Sequence, residues 1–182
     1  MKLEEQEEYF LGVIPSNSVS WVDYPEPSGH CVSVYFVGCR FHCRGCQNEY
    51  LQKEGTAEDA TPYYDFVDRL KDILERTRSD RVCLLGGDPL FVTNRLVTRN
   101  LIRDLDDIHF CVYTGETIEN AIPYVRGAEY VKCGVYDSEH RQTSGKYDDR
   151  MVFASTNQKL YDSEFRLLSE NGIYYYRNRG GV

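Results

Sequence analysis

Three cysteines stand in the run Cys39-Arg40-Phe41-His42-Cys43-Arg44-Gly45-Cys46, separated by three and then two residues. Thiolates at this spacing can converge on one metal centre. An iron-sulfur cluster is normally held by four cysteines. The local run supplies three, which leaves one iron open to a small chelating ligand. Zinc is the competing reading, with His42, Cys31 or His30 completing a tetrahedron. It is the poorer fit, because His42 is adjacent to Cys43 and neighbouring residues rarely close on one ion. Three unliganded core thiols are poorer still, since Arg40, Arg44 and Gly45 make the loop polar. The two arginines are expected to favour thiolates by placing positive charge beside them.

The chain has seven cysteines, an odd number with three gathered in one motif, and this speaks against a disulfide framework. Cys83 and Cys111 fall in apolar, strand-like runs, where buried free thiols acting as small hydrophobes are expected. No Ser/His/Asp pairing emerges among the motif segments, so hydrolytic nucleophilic catalysis has no support.

The elements that must position the cysteine loop alternate between two periodicities. Cys31 to Val37 is rich in β-branched and aromatic residues and reads as a strand that delivers the loop at its C-terminal end. Thr61-Pro62 reads as a helix start, followed by Phe66, Val67, Leu70, Ile73 and Leu74 at helical spacing. Strands are expected over Arg81 to Leu85, Ile108 to Tyr113, Tyr130 to Cys133 and Ile173 to Tyr176. Helices are expected over Arg95 to Leu105, Thr117 to Val125 and Asp162 to Ser169. Strand-helix alternation implies an α/β fold with a mostly parallel sheet. In such sheets ligands bind beyond the carboxyl ends of the strands. The loops at Cys39, Gly86-Gly87 and Thr114-Gly115 should therefore share one edge. There a Gly-Gly turn lets backbone approach a ligand, and Asp88 offers an acceptor to an ammonium group.

At 182 residues, 41% apolar and 27% charged, the chain is expected to form a single domain over 1–182. Residues 1–30 read as a loop-rich lead-in in which Trp21 and Tyr24 pack over the first strand. Residues 136–149 read as a polar surface loop over the site, and 177–182 as a flexible tail. A net charge of -8 argues against a nucleic-acid surface as the main function. No run approaches the roughly 20 apolar residues of a membrane span, and the acidic start is unlike a signal peptide, so a cytoplasmic location is expected.

Four segments carry a resemblance to a known family: Gly38-Cys39 through Cys46-Gln47-Asn48, Leu85-Gly86-Gly87-Asp88-Pro89-Leu90, Tyr113-Thr114-Gly115 with Glu119, and Ser155-Thr156-Asn157-Gln158-Lys159. Together they resemble the activating proteins of anaerobic (class III) ribonucleoside-triphosphate reductases, in the radical S-adenosylmethionine superfamily. The resemblance implies a partial (β/α) barrel of mostly parallel strands, of the radical-SAM type. It implies that Cys39, Cys43 and Cys46 hold a 4Fe-4S cluster whose fourth iron takes the amino and carboxylate groups of S-adenosylmethionine. Reductive cleavage of that cofactor would give a 5′-deoxyadenosyl radical, which would abstract hydrogen from a glycine of the reductase. Gly86, Gly87 and Asp88 would lie along the methionyl part, Gly45 and Gln47 near the adenine, and Thr114 beside the cofactor. No catalytic side chain is implied beyond the cluster and the cofactor.

The implied partners are a glycyl-radical enzyme and a reduced flavodoxin- or ferredoxin-like electron donor, with no nucleic acid and no membrane. The loop from Tyr136 to Asp149 and the pair Asn157-Gln158 are expected to help dock the glycyl-radical partner. Two other enzymes fit the same motifs: a small-molecule radical enzyme similar to the carboxydeazaguanine synthases, and an activase of another glycyl-radical enzyme such as pyruvate formate-lyase. A non-enzymatic zinc module is the third class.

Overall fold

The computed structural model describes residues 9–15, 19–27 and 29–176. Its strands are β1 (Tyr9–Val13), β2 (Val19–Ser20), β3 (Cys31–Phe36), β4 (Ala60–Pro62), β5 (Arg81–Gly86), β6 (His109–Tyr113), β7 (Tyr130–Cys133), β8 (Gly145–Lys146), β9 (Arg150–Val152), β10 (Lys159–Asp162) and β11 (Ile173–Tyr175). Three helices, α1 (Tyr63–Thr77), α2 (Arg95–Asp104) and α3 (Ile118–Val125), connect them. The main sheet runs β10-β7-β6-β5-β3-β1-β4, with β2 also paired to β3, and β8, β9 and β11 form a second, smaller sheet. Neighbours among β3, β5, β6 and β7 are parallel, whereas β10 and β1 pair antiparallel at the flanks of that block. The fold is thus mixed α/β with a parallel centre. The sheet ends at β10 on one side and β4 on the other, and no barrel closure is seen among the described residues.

Period-2 alternation divides each central strand between two cores. Val32, Val34 and Phe36 of β3, Val82 and Leu84 of β5, Phe110 and Val112 of β6, and Val131 of β7 face the helices. There they meet Phe66, Leu70 and Ile73 of α1 and Leu101 and Ile102 of α2. Burial of one such side chain contributes about 1.5–3 kcal/mol. The opposite face presents Cys31, Cys83, Leu85, Cys111 and Tyr130, covered by Tyr24 of the lead-in, Met151 and Phe153 around β9, and Tyr174 of β11. Cys83 and Cys111 are fully buried, as their apolar runs imply.

Four expectations are corrected. Residues 1–30 are not only a loop-rich lead: Tyr9–Val13 pairs with both β3 and β4. Trp21 does not pack over the first strand but is 64% exposed beside His30, while Tyr24 is buried. The first helix starts at Tyr63 rather than at Thr61-Pro62, because Ala60–Pro62 is held in the sheet against β1. Asp162 to Ser169 is not a helix. The Asp162 carboxylate accepts the backbone N–H groups of Glu164 and Arg166, and Phe165 takes a left-handed φ of 61°, so the chain reverses there instead. The strand β10 leading into this turn was not anticipated. The tail at 177–182 lies outside the described residues. No helix among the described residues is long and apolar enough to cross a membrane.

Candidate metal centre and ligand pocket

The parallel strands β3, β5, β6 and β7 end in the cysteine loop, the Gly86-Gly87 turn, Thr114-Gly115 and Gly134, and all four loops meet in one pocket of about 160 Å³. Cys39, Cys43 and Cys46 line it together with Gly86, Gly87, Asp88 and Thr114. The sequence thus identified the two turns that face the thiols. No fourth cysteine lines the pocket. Cys31, Cys83, Cys111 and Cys133 are buried in the cores.

Backbone hydrogen bonds lock the cysteine loop onto its neighbours. Gly38 N–H donates to Leu51 O, Gly87 N–H to Phe36 O and Asp88 N–H to Gly38 O, each at 2.8 Å. A Cβ on Gly87 would lie 2.4 Å from Gly38 O, and one on Gly86, at φ 115°, would lie 2.4 Å from Phe36 N. The room these glycines make is therefore taken up by the backbone of β3 and of the cysteine loop that follows it. A second clamp joins the loop to the turn after β6. Arg40 Nη2 donates to Glu116 Oε1 at 2.6 Å, its guanidinium lies 5.1 Å from the Phe41 ring centre, and that ring packs on Gly115.

Asp88 is 2% exposed. Its carboxylate accepts Leu90 N–H at 2.7 Å, Gly115 N–H at 2.9 Å and the Thr114 hydroxyl at 2.9 Å. Three donors use most of a carboxylate's roughly four lone-pair positions, so Asp88 serves first to tie the β5 turn to the β6 turn. Burial pushes its pKa up to about 6, against the lowering effect of those hydrogen bonds. At Cys39 burial likewise pushes the thiol up, while the Phe41 backbone N–H pulls the other way. The expected thiolate-favouring effect of the arginines is thus not seen at Cys39, and Arg40 spends its charge on Glu116.

Gly45 and Gln47 are exposed and do not line the pocket, whereas Asn48 and Gln52 do. Gln52 Nε2 is buried there and finds no acceptor among the described residues. An orphaned donor at a pocket wall suits a bound group that carries an acceptor. Tyr113, Lys132, Tyr136 and Gln158 also line the site, and none was singled out as a cofactor contact from the sequence. Gln158 is turned inward, its amide donating to Gly134 O at 3.3 Å, while the exposed Asn157 donates to Val135 O at 2.9 Å. Lys132 projects from β7 with Nζ 5.0 Å from the Tyr113 ring centre and 5.6 Å from that of Phe153. Burial pulls its pKa down to about 8, opposed by the thiols of Cys111, Cys133 and Cys43.

The donor set fits a cluster better than a single ion. Zinc would need a fourth ligand. Cys31 and His30 sit at the start of β3, about 17 Å from its end at ~3.3 Å per residue. His30 Nε2 is also held at 2.8 Å from Thr77 O. Among the described residues no three His, Cys, Asp or Glu side chains are grouped as one ion requires. A cluster asks for thiolates bound to different irons, which three separate thiols facing one pocket can supply. The family model described as a 4Fe-4S single cluster domain matches residues 27–161, a span that takes in all four strand-end loops, the cysteine loop among them. No curated protein matches the chain.

Proposed function

Because the chain belongs to the 4Fe-4S single cluster domain family and is an iron-sulfur protein, we propose that Cys39, Cys43 and Cys46 hold its cluster and that the protein is a radical S-adenosylmethionine activase. The observation that carries this reading is the pocket itself: three thiols, no fourth cysteine, and the Gly86-Gly87-Asp88 turn and Thr114 on its walls. Cys39, Cys43 and Cys46 would hold the cluster, which would supply the one-electron reduction needed to cleave the sulfonium carbon-sulfur bond of S-adenosylmethionine.

The chain's own residues bind, orient and shield. Asp88 holds Thr114 and Gly115 against the Gly-Gly turn, so the wall along the methionyl part is set before the cofactor arrives. Gln52 offers its unmet amide donor. In this reading the adenine neighbourhood belongs to Asn48 and Gln52, which line the pocket where Gly45 and Gln47 do not. Phe41, Tyr113 and Tyr136 line the wall with rings that exclude water. The partner in this reading is the glycine loop of an anaerobic ribonucleotide reductase. It would enter over the 136–149 segment, and Asn157 is exposed for contact.

Anaerobic reconstitution with iron and sulfide, then dithionite and S-adenosylmethionine, tests the assignment. Formation of 5′-deoxyadenosine is expected in the wild type and is expected to be lost in Cys43→Ser. A cluster-loaded protein that leaves the cofactor intact would sink the radical reading while leaving the iron-sulfur family untouched. Hydrogen exchange tests the docking surface: protection of 136–149 or of Asn157 on adding reductase is expected, and none in either segment removes that surface.

A further inference from the structure

Lys132 is out of place by the ordinary rules of a sheet interior. It shares the inner face of β7 with Tyr130, among the uncharged side chains of Cys111, Tyr113 and Phe153. Among the described residues no carboxylate lies within ion-pair distance of its ammonium, which rests against two aromatic rings. Rings recover part of the lost hydration of a cation but not its charge. A partly buried cation without a counter-charge is costly, and it is retained where something bound supplies the negative charge. The side chain lines the same pocket as Cys39, Cys43 and Cys46, and the thiol of Cys43 is close enough to act on it electrostatically.

We propose that Lys132 is a positioning residue for the cluster, its ammonium being the counter-charge to the thiolate-bound iron-sulfur centre and stabilising its reduced form. Reduction adds one electron, supplied in the test below by dithionite, and makes the cluster with its three thiolates one unit more negative. A fixed positive charge at the pocket wall favours that state over the oxidised one, more strongly where water is excluded. Removal of the charge therefore moves the midpoint potential to more negative values. The inference rests on the cluster assignment of the preceding section and does not require S-adenosylmethionine.

The experiment is an anaerobic dithionite titration of reconstituted wild type, Lys132→Met and Lys132→Arg, first without and then with added S-adenosylmethionine. It is followed by the electron paramagnetic resonance of the reduced cluster, with acid-labile sulfide measured in each. The expected result is equal sulfide, a more negative midpoint in Lys132→Met and a near wild-type midpoint in Lys132→Arg. If Lys132→Met loads no cluster while Lys132→Arg does, the requirement for charge is likewise supported. An unchanged midpoint in fully loaded Lys132→Met overturns the proposal, as does failure of both variants to load, which marks a packing role. A midpoint that responds to Lys132→Met only once S-adenosylmethionine is added also overturns it, assigning the ammonium to the cofactor's carboxylate. Wild type without sulfide overturns it together with the cluster assignment.

Discussion

At Asp88 a carboxylate has left water to hold two turns together, and this has a measurable pH signature. Its pKa is about 6 in the folded chain against the ordinary 3.8. The folded state therefore keeps a proton that the unfolded chain gives up. The stability from this group is fully present below about pH 4 and is lost as pH rises towards 6, a difference of about 3 kcal/mol. Denaturant unfolding of the cluster-free protein between pH 4 and 7 should show this falling component in wild type and not in Asp88→Asn. Identical pH slopes in the two would refute it. Asp88 and the three cysteines were legible in the sequence because their chemistry is carried by residue type and spacing. Lys132 was not, since a lysine in a short strand reads as solvent-facing until the register with β6 and β10 turns it inward. The same holds for Gln52, whose significance lies in a missing acceptor that only coordinates reveal.

Among the elements, the cysteine loop depends on how closely the β5 turn can approach it. In Gly87→Ala the added methyl would meet backbone oxygens of both Gly38 and Leu51, which cannot move aside as a side chain would. A loss of about 1–3 kcal/mol is expected from the overpacking. Iron content per chain should fall with it, because the same backbone presents Cys39 to the pocket. A stable Gly87→Ala protein with full iron would show that the close approach is dispensable. The central strands and α1 to α3 were readable from period: Val32, Val34 and Phe36 alternate, and Phe66, Leu70 and Ile73 recur on one helical face. The misses fall where tertiary pairing overrides local pattern. β1 follows a strongly acidic start and pairs across the sheet edge, β10 carries mixed residues and is held by β7, and the stretch after it is turned by an aspartate side chain rather than coiled into a helix.

At the scale of the whole molecule, the lead-in is strapped to β6 and β7 by tyrosine hydroxyls. Tyr24 donates to Glu129, Tyr130 donates to Glu26 at 2.6 Å, and Tyr113 reaches back to the Asp23 carbonyl, also at 2.6 Å. Hydrogen bonds to ionised partners contribute about 1.5–3 kcal/mol each, more than neutral ones. Tyr24→Phe and Tyr130→Phe are each expected to lower the unfolding free energy measured in urea by an amount in that range without altering iron content. A variant that lost iron with unchanged stability would contradict this division between strap and site. The barrel that the resemblance implies is not closed among the described residues, but the parallel centre of the sheet was visible in the strand-helix alternation. What fills its lower half was not, because Tyr24, Met151, Phe153 and Tyr174 come from segments whose own patterns are short and irregular.

That filled lower half makes the pocket a blind alley. Among the described residues Tyr24, Cys31, Tyr130 and Tyr174 fill the interior below the thiols, so the pocket opens at the strand ends. Traffic through a single mouth obeys a queue: whatever seats deepest must arrive first and leave last. A small molecule resting against the thiols is corked in by any bulkier molecule that settles over it, and it stays trapped until that cover departs. Turnover would then follow a compulsory sequence, set by the shape of the cavity and independent of how tightly either occupant is held.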